Sequence, residues 1–279
     1  MSSLVVNNNL QALNAYNNLN STDMAMSKAI SELSSGLQIQ TAADNPAGYV
    51  VAEGLQSQSN GYTQAISNAQ NGVSLIQTAS GALNQITTIL QTMNSLALGS
   101  SNGATTDTQA LQANDQEFQA LVTQINQIAQ TTSFGTTNLL DGSFSNETLQ
   151  VGAFDNSNNQ VSLNIASVTS TALGISGLSI AGATSAQSAV SAVQAAIGQV
   201  ASIEASVGAT QNQLNAIVAN LTVGQQNLQA AYAGLVDVNF AQETTTYSTD
   251  QILMQSGVAM LSHAQQSSSQ VMKLLQNLP

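Results

Sequence analysis

Few residues in this chain could do chemistry. Histidine occurs once, at His263, and a lone histidine on a helix is usually structural or exposed rather than a general base. The closest carboxylate pair, Asp115 and Glu117, lies two residues apart, which on a helix points the groups to different faces as solvated charges. There is no HExxH zinc motif, no P-loop and no GxSxG elbow. Cysteine is absent, which removes disulfides, thiolate chemistry and cysteine–metal sites. No cofactor, metal or catalytic residue is expected, and a secreted enzyme is the remote reading. Asn20, Asn146 and Asn220 each precede x-Thr, a weak acceptor pattern; two fall on expected helices, so no glycosylation site is assigned.

Composition narrows the partners. Charged residues make up 6% of the 279, far below the roughly 25% of an average soluble chain. Two lysines, no arginine and fourteen carboxylates give a formal charge of −12. Such a chain cannot displace the counterions of a nucleic acid, nor dock on an anionic membrane surface. No run approaches the ~18 consecutive apolar residues of a membrane span. "MSSLVVNNNLQAL" lacks the basic and apolar regions of an ordinary signal peptide, so an exported chain would leave by another route. Small aliphatics and long amides dominate, with 4% aromatics and no tryptophan. Those residues suit closely packed helices better than a deep ligand pocket.

The elements follow from a seven-residue repeat. Ile76, Leu83, Leu90 and Ala97 lie seven apart, with Ala79, Ile86 and Met93 interleaved, and Leu55 and Tyr62 extend the series backwards. That predicts one helix over 47–98, about 75 Å long. A second helix carries Leu111, Phe118 and Ile125 with Leu121 and Ile128, and opens on a capping box of Thr106 and Gln109. "LGSSNG" supplies the turn between them, so the two should pack antiparallel. A third helix repeats Val193, Val200, Val207, Leu214, Leu221, Leu228 and Leu235; its sister positions are mixed, with Thr210 and Gly224 polar or small.

Between the second and third helices, "LQVGA" (149–153) and "QVSLNI" (160–165) alternate as a β-hairpin across "DNSNN". The glycine-rich stretch 171–185 reads as loop, ending at a capping Thr184. Both chain ends are amphipathic. Leu10, Leu13, Ile30, Leu33 and Leu37 mark one helix, and Leu253, Met260, Leu261, Val271, Leu274, Leu275 and Leu278 the other. Neither can bury its stripe alone, so the stripes must meet each other or neighbouring copies. Met24, Met26, Met254, Met260 and Met272 cluster there too, as core filling. In "IQTAADNPAG", Asp44 or Asn45 can cap the next helix and Pro46 fits its first turn, making a hinge.

"AISELSSGLQIQTAADNPAGYVVAEGL", "ISNAQNGVSLIQTASGALNQITTILQTMNSLAL" and "TTSFGTTNLLDGS" resemble the N-terminal half of bacterial flagellin in order and spacing. "GATQNQLNAIVANL", "NLQAAYAGLVDVNFAQET" and "QILMQSGVAMLSHAQQSSSQVMKLLQ" resemble its C-terminal half. The resemblance covers nearly the whole chain. It implies a mainly α fold of long antiparallel helices and coiled coils with a small β-hairpin region, as a two-layer flagellin-like rod. Residues 1–45 and 238–279 would be a terminal coiled-coil inner layer; 46–237 would be the rod domain, with hairpin and loop at about 142–185. No stretch is long enough for a large outer domain.

By the same resemblance, the chain is expected to be a secreted, non-enzymatic subunit of the extracellular flagellum that polymerises with itself. Its other partners would be the export apparatus and a chaperone, and the hook–filament junction and cap proteins. Ser and Thr within 142–185 could take O-linked sugars. Thr92, Asn94 and Ser95 stand where flagellins read by an innate immune receptor carry charge, so weak recognition is expected. Gln38, where relatives often have arginine, with Gln56, Gln91 and Gln213, suggests a filament working in acid, where amide hydrogen bonds do not titrate. A hook–filament junction protein is the alternative; "DNPAG" leans its way.

Overall fold

The computed structural model describes residues 9–103 and 107–276, with 268, 271, 272 and 274–276 described by backbone alone. The chain is mainly helical: α1 (Leu10–Ser35), α2 (Pro46–Ser100), α3 (Thr108–Thr131), α4 (Ala183–Val236) and α5 (Phe240–Gln276). Four short strands intervene, β1 (Ser133–Phe134), β2 (Thr137–Asn138), β3 (Glu147–Gln150) and β4 (Gln160–Leu163). Two compact units result, one of Met1–Gln56 with Gln229–Pro279, the other of Ser57–Leu228.

In the unit Ser57–Leu228, the heptad residues form the core. Ile76, Leu83, Ile86, Leu90 and Met93 of α2, Phe118 and Ile125 of α3, and Val193, Val200, Val207 and Leu214 of α4 are buried in one cluster. Leu111, Leu221 and Leu228 are half-buried. Helices α2 and α4 run antiparallel, because contacts pair rising numbers with falling ones. Tyr62 lies by Gly224, Gly72 by Leu214, and Thr63 Oγ1 accepts from Gln225 Nε2 at 2.6 Å.

Three local expectations are corrected. The cap of α3 is Asp107, whose carboxylate accepts from Ala110 N–H at 2.7 Å, and Thr106 lies outside the described residues. Asp107 wins because a carboxylate at a helix start both accepts the free amide and favours the dipole. Thr184 is inside the first turn of α4, not its cap; the first helical bond runs from Ala186 N to Gly182 O. The hairpin is real, but its first strand is Glu147–Gln150, paired with Leu163–Gln160. Residues 151–159 instead close a loop around Asn159, whose side chain donates to Phe154 O and presses on Gly152. A Cβ at Gly152 would stand 2.3 Å from Asn159 Cγ, so the glycine makes room for that side chain. A second two-stranded hairpin, β1–β2, turns on Gly135 at φ +62°.

The stretch 164–182 has no regular structure, yet Leu173, Ile175 and Ile180 are buried in the core. Its backbone groups are satisfied partly within the stretch, as by Ile175 N–H on Ser170 O, and partly by side chains of α3. Asp115 Oδ1 accepts from Ile180 N–H at 2.7 Å, Asn126 Oδ1 from Ser170 N–H at 2.8 Å, and Gln119 Nε2 donates to Leu178 O at 2.6 Å. Asp115 is thus a latch rather than a solvated charge, while Glu117 is exposed.

Candidate assembly surface

The unit built from the two chain ends carries the candidate surface. Helix α1 stops at Gly36, whose left-handed φ of +76° lets its N–H reach Glu32 O at 2.8 Å. The chain then runs extended beside the segment leaving α4. Leu37 and Asp237 form an antiparallel bridge, with Gln38 N–H to Val236 O at 2.7 Å and Val238 N–H to Gly36 O at 2.9 Å. The two open cap choices at the joint resolve into separate jobs. Asn45 caps α2, its Oδ1 accepting from Gly48 N–H at 2.9 Å, and Pro46 is the first helical residue. Asp44 instead closes the preceding turn, accepting from Thr41 N–H and Oγ1 at 2.9 Å each and from Gln40 N–H at 3.2 Å. Those bonds from Thr41, with smaller help from Gln40 and Lys28, hold its carboxyl below the usual range. Asn239 plays the part of Asn45 at α5, its Oδ1 accepting from Gln242 N–H at 3.4 Å.

Helices α1 and α5 pair antiparallel. Asn9 caps α1 through its Oδ1, and its Nδ2 donates to Ala264 O at 2.8 Å, stapling the start of one helix to the other. On α1 the residues turned to the seam are Ala12, Ala15, Leu19, Thr22, Met26, Ala29 and Leu33. On α5 they are Glu243, Tyr247, Asp250, Met254, Gly257, Leu261 and Ala264. Both series step by three and four, the coiled-coil spacing. Gly257 admits the Leu19 side chain, whose Cδ1 would be 3.1 Å from any added Cβ.

The large apolar residues mostly lie off this seam. Leu10 (61% accessible), Leu13, Ile30, Leu253 and Met260 (63%) are exposed, as are Tyr16, Met24, Ile252 and Val258. Leu33, Leu37 and Leu261 are half-buried, and so is Leu235 near the end of α4. Leu278 and the side chains of Val271, Leu274 and Leu275 lie outside the described residues. His263 is exposed on α5 beside a shallow groove shared with Gln11 and Asn14. Among the described residues, no group of three or more His, Asp or Glu could hold a metal, and no helix is long and apolar enough to cross a membrane.

Hydropathy alone misses the seam's charge. Glu32 is buried, Lys28 Nζ lies 3.5 Å from Glu32 Oε1 and 3.8 Å from Asp44 Oδ1. Burial pushes the Glu243 carboxyl up, Glu32 and Asp250 push the same way, and Lys28 opposes them. Asp250 Oδ2 is buried without a hydrogen-bond partner. The signal that finds these residues is the heptad 243–250–257–264, once polar residues are allowed in it.

A family model described as the bacterial flagellin N-terminal helical region matches residues 6–145, and one for the C-terminal helical region matches 190–275. A flagellin of Halalkalibacterium halodurans is 38% identical over 98% of this chain and 100% of its own. A flagellar filament 33 kDa core protein of Treponema phagedenis is 35% identical over 98% and 100%. A solved structure of a putative flagellar hook-associated protein from Vibrio parahaemolyticus, 13% identical, shares the fold at a TM-score of 0.58 over 70% of this chain and 100% of that one.

Proposed function

The chain belongs to the bacterial flagellin family, self-assembling structural subunits of the flagellar filament with no enzymatic role, and from that premise we propose that its terminal helices are the polymerising surface. The observation that supports this is the exposure of large apolar side chains on helices already paired with each other. Leu10, Leu13, Ile30, Ile252, Leu253 and Met260 gain nothing in a lone subunit and are the kind of patch that marks an interaction site. Neighbouring copies bury them in an inner layer of residues 1–45 and 238–279, around which 46–237 forms the next. Contacts of unlike faces that do not close on themselves generate an open helical polymer.

The further partners we propose are an export apparatus and chaperone that take up the tails before assembly, and the junction and cap proteins at the filament ends. Thr92, Asn94 and Ser95 give an innate immune receptor no charge to read, so recognition is weak. With two lysines in the chain, acid leaves only a small positive charge per subunit, which suits a filament in acidic surroundings.

The test is seeded polymerisation followed by electron microscopy. Leu13→Gln with Met260→Gln leaves the monomer's melting within about 0.5 kcal/mol of the parent, because both sites are exposed, yet stops growth. Growth at the parental rate overturns the assignment. The likeness to the hook-associated protein is one of fold; counting copies per flagellum separates filament from junction.

A further inference from the structure

We propose that the α1–α5 pair is an acid-tightened zipper, held loose by ionised carboxylates in its own seam and closed when they take up protons. It rests on reading these two helices as the assembling pair, but not on the acidic setting.

The geometry is a cluster at an interface. Glu243 and Asp250 stand one heptad apart in the α5 seam, and Glu32, buried on α1, repels Glu243 across it. Among the described residues, Lys28 is the one cation around them, and it is shared between Glu32 and Asp44 at the joint. Tyr247 lies between the two α5 acids in the seam. Four carboxylates about one ammonium sum to 1 − 4 = −3 when all are ionised. A coiled-coil seam normally holds apolar residues there, and like charges facing across it push the helices apart. Asp250 Oδ2 is buried with no hydrogen-bond donor, so nothing offsets the lost hydration of that oxygen.

The sign follows from the directions of the shifts. Glu243 has its folded value above its ordinary 4.5, although it lies in the first turn of α5, where the dipole favours the charge. A carboxyl raised on folding penalises the folded pair at neutral pH, and the penalty vanishes as pH falls through the folded value. Asp44 acts oppositely. Its carboxyl is held below 3.8, so the joint it closes survives that descent and fails only in stronger acid. The pair is therefore tightest in a window between the two, looser at neutral pH and looser again below it.

Hydrogen exchange on the full-length monomer tests this, read by mass spectrometry at pH of about 7, 5.5 and 4.5 and corrected for intrinsic rates. Peptides from α1 and the first half of α5 should gain protection several-fold on acidification, while those around Phe118 report that the other unit is folded throughout. Glu243→Gln and Asp250→Asn, near-isosteric changes, should raise protection at neutral pH and flatten the rise. Protection that stays level or falls in the parent overturns the proposal, as does a full parental rise in the double variant. Seeded growth of the same samples is read separately: absent growth beside an intact protection rise supports the zipper and counts against the assembly reading alone.

Discussion

The ring of Tyr62 rests on Gly224 so closely that an added Cβ would stand 2.7 Å from Cε2. The interruption of the α4 heptad at Gly224 is thus a docking site for α2, not a weak point in the seam. Gly61 and Gly72 on α2 do the same for the loop and hairpin, meeting Ala153 and Leu149.

Gly61→Ala should destabilise the unit by roughly 1–3 kcal/mol through overpacking, less the ~1 kcal/mol that alanine gains in a helix. The obstacle at 61 includes backbone, the Ala153 Cα at 3.0 Å, so it cannot simply swing away. Gly198→Ala on α4 meets nothing within 4 Å and should stabilise by about 0.5–1 kcal/mol. Urea melts of the pair of variants should move in opposite directions.

Phe118→Ala should cost about 3–5 kcal/mol, since the ring is fully buried among the residues of α2, α3 and α4. Thermal unfolding followed at 222 nm should show that loss in the unit Ser57–Leu228.

Removing the cap with Asn45→Ala should weaken the start of α2 by about 1 kcal/mol, because the Gly48 N–H loses its acceptor. Asn45→Asp should keep most of that at neutral pH and lose it in acid. Local hydrogen exchange of residues 46–50 distinguishes the two.

Asp141 accepts from Ser143 Oγ and N–H at 2.6 and 2.9 Å and from Asn138 Nδ2 at 3.0 Å, and these bonds, Ser143 first, lower its carboxyl below 3.8. A lowered carboxyl supports the fold above its unfolded value and stops doing so as pH falls through its folded one. Asp141→Asn should therefore be less stable than the parent at neutral pH, with the gap closing as pH falls through the lowered carboxyl's folded value. Parallel melts across pH check the convergence.

The long helices were legible because their seams are bulky and strictly periodic: nothing but a helix places Ile76, Leu83 and Leu90, or Val193 to Leu214, on one line. The terminal pairing was less so, because its seam sets Ala15, Thr22, Ala29, Glu243, Asp250 and Gly257 among Leu19, Met26, Leu33, Met254 and Leu261. Those residues pack by being small or by sharing a charge, and hydropathy sees neither. The latch of Asp115 and Asn126 on the 164–182 stretch was invisible for a different reason. Its partners are backbone amides some 44 to 65 residues away, and a side chain's spacing says nothing about them. Caps were missed by one or two positions where several small polar residues compete, as Thr106, Asp107 and Thr108 do.

The bridge of Leu37 to Asp237 has a mechanical meaning for a rotating propeller. The two strands that connect the terminal helices to α2 and α4 are stitched to one another, so a tug on either tail is shared by both in shear. Two separate tethers would yield one after the other. These give way only together, and the subunit resists being drawn out by one end.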